Sequence, residues 1–174
     1  MQSAISGMGR VVSNPSQSPV KTGYQRPATP ADIAFVADDM RPEDVAEVKA
    51  QSGATPRDAL LYCLLKSKPC MAMVGRHGSV VGVWGVIPEN ETAGRVWMLG
   101  RQAMLDDAGD RRTFLRQSRI ELAKLQAQYP VLFNVVDARN EVHVRWLRYM
   151  GFTFICKHPN WGPEGRLFYE FVRV

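Results

Sequence analysis

Residues 131–152 read VLFNVVDARNEVHVRWLRYMGF. The first eight form a nearly uninterrupted apolar run after Pro130, the pattern of a central strand buried on both faces. Asn140 then stands where a helix N-cap satisfies the first free amides, and Gly151 stands where a left-handed residue ends that helix. Phe152 opens a further strand. Strand, capped helix and strand start thus follow one another with no spare residues.

Outward from this stretch, Phe114, Leu115, Ile120, Leu122 and Leu125 recur at helical spacing and predict a long helix over 111–129, closed by Pro130. Before it, CMAMVGR (70–76) and SVVGVWGVI (79–87) flank His77–Gly78 as a hairpin, and RVWMLGRQAM (95–104) supplies another strand. Two helices precede the hairpin. One begins at Pro42 and ends near Gly53; the other starts at Thr55, Pro56 and Asp58 and ends near Lys68. IAFVA (33–37) reads as a short strand. On the C-terminal side, FTFICKH and RLFYEFVRV alternate around PNWGPEG as a closing hairpin with a long loop. The expected order is strand, two helices, three strands, helix, strand, helix, two strands.

With 174 residues, 45% of them hydrophobic, the chain suits one domain. Residues 1–30 are rich in Ser, Gly, Pro and Gln and read as an extended or disordered arm that needs a partner surface to order it. Residues 31–174 are the domain. The net charge is +5, of which Arg10, Lys21 and Arg26 carry three, so the domain itself has no strong basic excess and nucleic acid is only weakly suggested. No apolar run approaches a membrane span, no secretory signal is visible, and three cysteines match neither a disulfide framework nor a CxxC metal site. A reducing compartment is the expectation.

The element order resembles that of GNAT acetyltransferases over about residues 30–174. The local signature NxxAxxLYxxxGF is matched in spacing by Asn140 and Gly151–Phe152. The resemblance implies an α/β, GNAT-like mixed central sheet of about seven strands flanked by about four helices, behind the extended N-terminal arm. It also implies an acetyl-CoA site between splayed fourth and fifth strands. Met98, Leu99, Gly100, Arg101 and Asn140 would be the cofactor-binding residues of an acetyl-CoA-dependent N-acetyltransferase.

Three departures count against that activity. The diphosphate loop of the family, Q/RxxGxG/A, falls on Arg101–Asp106, which holds no glycine, and Asp106, Asp107 and Asp110 crowd the helix start where a diphosphate would sit. Leu147 replaces the family's general-acid Tyr, while Tyr149 is turned about 200° around the helix and reads as a surface aromatic. No Glu lies on the fourth strand, and Glu89 and Glu91 read as solvated turn acids.

The sequence is more closely similar to small GNAT-like internal virion or virion-assembly proteins of short-tailed bacteriophages, through MRPEDVAEVKA, the missing loop and HVRWLRYMG. That resemblance implies a structural protein with no catalytic residues and no cofactor, located in the virion and, during assembly, in the host cytoplasm. Its partners would be other virion proteins of the portal, tail or internal core. Arg10, Lys21, Tyr24, Arg26 and Trp161 are the expected partner-binding residues, Trp161 because its ring falls in an otherwise polar loop. Cys156, His158 and His143 do not make a convincing metal site, because the set includes no carboxylate.

Overall fold

A computed structural model describes residues 24–174. Arg10 and Lys21 lie outside the described residues. The chain runs β1 (Tyr24–Pro27), α1 (Pro30–Asp38), α2 (Pro42–Ser52), α3 (Pro56–Lys66), β2 (Cys70–Val74), β3 (Val80–Pro88), β4 (Ala93–Gly100), α4 (Ala103–Asp106), α5 (Ala108–Gln128), β5 (Val131–Asp137), α6 (Glu141–Tyr149), β6 (Thr153–Trp161) and β7 (Arg166–Arg173).

The IAFVA segment is helical, not a strand. Thr29 Oγ1 accepts from the Asp32 amide at 3.3 Å and Asp32 Oδ2 accepts from the Thr29 amide at 2.8 Å. With Pro30 at the first helical position, this capping box starts α1 and overrides the β preference of the apolar run. Ile33 and Val36 then bury completely against Leu60 of α3 and Ala72, Val74 and Val83 of the sheet. The first strand lies instead at 24–27, inside the segment read as an arm, where it pairs antiparallel with β2. Residues 24–27 therefore find their backbone partners in this chain's own sheet.

The seven strands form one sheet in the order β1-β2-β3-β4-β5-β7-β6. Every neighbouring pair is antiparallel except β4 and β5. One face is covered by α1 and α3. The other carries α5 and α6, whose Leu122, Leu125, Val144 and Leu147 bury against Met73, Val86, Leu132 and Phe171. Each such side chain, taken fully out of water, contributes about 1.5–3 kcal/mol.

The parallel β4–β5 ladder holds only three pairs, Ala93↔Val131, Gly94↔Leu132 and Arg95↔Phe133, after which the strands part. The gap starts at Asn134, whose Nδ2 donates to the Val96 carbonyl at 2.9 Å across it. For this reason β5 is not buried along its whole length: Asn134 and Val135 are only half-buried because they border the gap.

Candidate active site

The parting of β4 and β5 opens a cleft of about 480 Å³ that is lined from both faces of the sheet. Glu47 and Gln51 of α2 and Tyr62 and Cys63 of α3 line one side. Phe114 and Leu122 of α5 and His143, Trp146 and Leu147 of α6 line the other, with Val96, Met98, Asn134 and Val135 at the gap. The lining is mostly apolar and aromatic, with polar groups that include Glu47, Asp58, Arg95, Glu121 and Asn134, the composition of a small-molecule site. Phe114 and Trp146 stack at 5.6 Å between ring centres. The Trp146 Nε1 is buried and has no hydrogen-bond partner among the described residues.

A network of buried acids closes the end of the cleft where β4 and β5 finish. The β4 terminus is stitched to α2: the Gly100 amide donates to Asp44 Oδ2 at 3.0 Å and the Gly100 carbonyl accepts from the Arg41 amide at 2.9 Å. Arg41 Nη1 stands 3.5 Å from Asp44 Oδ1. From the start of α6, Asn140 Nδ2 donates to Asp44 Oδ1 at 3.1 Å and to Glu47 Oε2 at 2.8 Å. Asp44, Glu47, Asn140 and Asp137 are all buried. Burial is the largest influence on Glu47. The Asn140 amide opposes it and the charges of Asp44 and Asp137 reinforce it, so the carboxyl is pushed up to about 8. Burial also raises Asp44, against the pull of Arg41 and the Gly100 amide. The half-buried His143 ring is pushed down to about 4 by desolvation and, secondarily, by the Arg41 charge, so it is neutral near pH 7.

Of the residues expected to hold a cofactor, Met98 and Leu99 line the cleft. Gly100 and Asn140 are engaged as described. The Arg101 amide donates to the Val81 carbonyl at 2.8 Å, and its guanidinium binds Asp39 at 2.6 Å and the Val80 carbonyl at 3.1 Å. Of those expected to meet a partner, Arg26 makes a two-pronged ion pair with Asp32 at 2.6 and 2.8 Å. Tyr24 begins β1 opposite Val74. Trp161 lies at the end of β6, not in a loop, with its ring 4.8 Å from His158 and 6.2 Å from Phe168. Tyr149 is exposed under Arg119 and Leu147 is buried. Glu89 pairs with Arg95 at 2.5 Å in the turn.

Glu47 is the residue that sequence reading missed. Its only sequence signal is the Asp44–Glu47 spacing of three on a predicted helix, which puts two acids on one face beside Val48.

The region between β4 and α5 does not fit a diphosphate. Three of its amides are used internally: Met104 donates to the Arg101 carbonyl, and Leu105 and Asp106 donate to the Gln102 carbonyl, closing the single turn of α4. At the start of α5, Asp107 Oδ1 accepts from the Gly109 and Asp110 amides at 2.7 and 2.8 Å, taking the place an anion would occupy.

A seven-stranded mixed sheet parted at its one parallel pair, with helices on both faces, is the fold of the GNAT acetyltransferases. Among solved structures, the chain is similar to spermidine N-acetyltransferase from Vibrio cholerae in complex with CoA and spermine (12% identity, 87% of this chain and 95% of that one, TM-score 0.65). It is also similar to yncA from Salmonella typhimurium with its cofactor acetyl-CoA (15%, 88% and 94%, 0.60) and to ribosomal-protein-alanine N-acetyltransferase from Brucella melitensis (18%, 87% and 99%, 0.60). No family model and no curated protein matches the sequence.

Proposed function

We propose that the chain is an N-acyltransferase in which an amine acceptor meets an acyl thioester inside the β4–β5 cleft, with acetyl-CoA the first donor to try. The observation that carries the reading is Glu47: a buried carboxyl pushed up to about 8, in the wall of the cleft opened by the parting of β4 and β5. A base poised near working pH is what removal of a proton from an ammonium acceptor needs. The thioester supplies an activated carbonyl. Asn140 fixes the orientation of Glu47 from the start of α6. Asp58, Arg95 and Glu121 also line the cleft, and polyamines and peptide amines are the acceptor classes to test.

Calorimetry with acetyl-CoA, together with a thiol-release assay over those amines, tests the proposal. Binding at micromolar strength with turnover that rises toward pH 8 supports it. In that case Glu47→Gln lowers turnover about 10²–10⁴-fold while leaving donor binding in place. Absence of both heat at millimolar cofactor and thiol release sinks it.

That second outcome is the one expected of a non-catalytic reading, which the self-capped start of α5 favours. In that reading the fold is a rigid block for docking, as in the virion-assembly role implied by sequence resemblance. None of the solved structures named above is a virion protein, and the role rests on sequence pattern alone.

A further inference from the structure

We infer that Cys156, His158 and Glu170, on the β6–β7 hairpin, form a binding site for one zinc-class divalent cation, separate from the cleft and open to solvent at its fourth position. Two residues apart on one strand, Cys156 and His158 point to the same face. The carboxylate that the sequence did not reveal comes from across the ladder, because Glu170 is the register partner of Cys156. One thiol sulfur, one imidazole nitrogen and one carboxylate oxygen all lie within 4.8 Å of one another, and this is the one such group of three among the described residues. His158 Nε2 and Glu170 Oε2 are already 3.0 Å apart.

Metal–ligand bonds of about 2.0–2.3 Å in a tetrahedral site place neighbouring donor atoms about 3.3–3.8 Å apart. The donor atoms, now within 4.8 Å, need to close by only about 1 Å to reach that size. The scaffold is stiff where it matters. Glu170 is held in ladders with both Val135 and Cys156, and the Trp161 ring lies against His158. Register shifts at Phe154/Cys156 and at His158/Trp161 bracket the two β6 ligands. Such bulges re-aim side chains that a regular ladder would hold elsewhere.

The chemistry of the donors selects the metal. Thiolate with imidazole favours zinc or cobalt over magnesium or calcium, and a single carboxylate is compatible with that choice. Three protein ligands plus water suits an exposed Cys156. On binding, the Cys156 S–H proton is released to solvent and the His158–Glu170 hydrogen bond is exchanged for two bonds to the ion. The other two thiols do not compete, since burial pushes Cys63 up to about 12 and Cys70 up to about 11.

The test is a titration of the full chain with Co²⁺, followed by displacement with Zn²⁺. The expected result is one equivalent bound with a thiolate-to-cobalt charge-transfer band. That band is lost in Cys156→Ser, persists in Cys63→Ser, and needs at least tenfold more metal in Glu170→Gln. A wild-type titration without the band, or a band that survives Cys156→Ser, overturns the site. A measurement on the unaltered chain stands beside it: added Zn²⁺ should slow alkylation of Cys156 at least tenfold, and an unchanged rate overturns the site equally.

Discussion

Glu47 illustrates how much one side chain's chemistry depends on what folds over it. On an isolated helix it would titrate as an ordinary carboxyl; here it loses its water and shares Asn140 with Asp44. Because its proton is held from the unfolded value near 4.5 up to about 8, the folded state binds more protons than the unfolded chain in that window. Stability therefore falls as pH rises through it. His143 has the opposite sign between its ordinary 6.5 and about 4, where the unfolded chain binds the extra proton. Above pH 6.5 only the Glu47 effect remains of the two. Denaturant unfolding between pH 6.5 and 8 should show stability declining with pH in the wild type, and a flatter profile in Glu47→Gln. The full Glu47 contribution is on the order of 2–5 kcal/mol. A wild-type profile that is flat or rising over that range would contradict the assignment.

At the scale of elements, polar punctuation decided more than the apolar residues between. Three of the helices begin with Pro just inside the first turn, at Pro30, Pro42 and Pro56. The two later ones were legible from Pro42 and from Thr55–Asp58. The first was missed because IAFVA is short and β-branched enough to mimic a strand, although Thr29 and Asp32 carry the same capping signal. Asp32 serves both the α1 cap and the Arg26 ion pair to β1, and its carboxyl is held down at about 2, with the Arg26 guanidinium the largest cause. Asp32→Ala should cost about 1–2 kcal/mol at neutral pH. A group lowered in this way stabilises above its ordinary 3.8 and loses that contribution as pH falls toward 2. The difference from wild type should accordingly shrink below pH 3.8, as thermal melts across that range would show.

For the whole molecule, the decisive feature is a sheet that comes apart at its one parallel pair. After three ladder pairs, the β4 edge that faces β5 has lost its strand partner, and the Asn134 side chain bonds across the gap to the Val96 carbonyl. Local opening should concentrate there. Hydrogen exchange should be faster at β4 amides facing β5 beyond Arg95 than at those facing β3, and a cleft occupant should slow them selectively. Uniform protection along both edges of β4 would mean that the cleft is closed in solution.

The opening stretch fared well because its signals are local. Asn140 and Gly151 act on amides and dihedrals within a few residues, so the α6 boundaries could be read directly, and six of the seven strands were legible from such signals, the GNAT-like sheet being what the resemblance implied. Leu147 in place of a Tyr and the aspartates near the start of α5 were equally readable, and Asp107 caps that helix with its own side chain. What remained hidden depends on pairing between distant segments. Residues 24–27 look like part of an arm until β2 supplies backbone partners, and Trp161 looks unsupported until its ring meets His158 and Phe168. Asn140 was read as a cap, yet its side-chain amide also joins two acids more than ninety residues earlier. Cys156 and His158 lacked a carboxylate until strand register brought Glu170 opposite. Local backbone chemistry is written along the chain, whereas desolvation and donor geometry exist only once remote segments share a volume without water, and that volume is set by the tertiary structure alone.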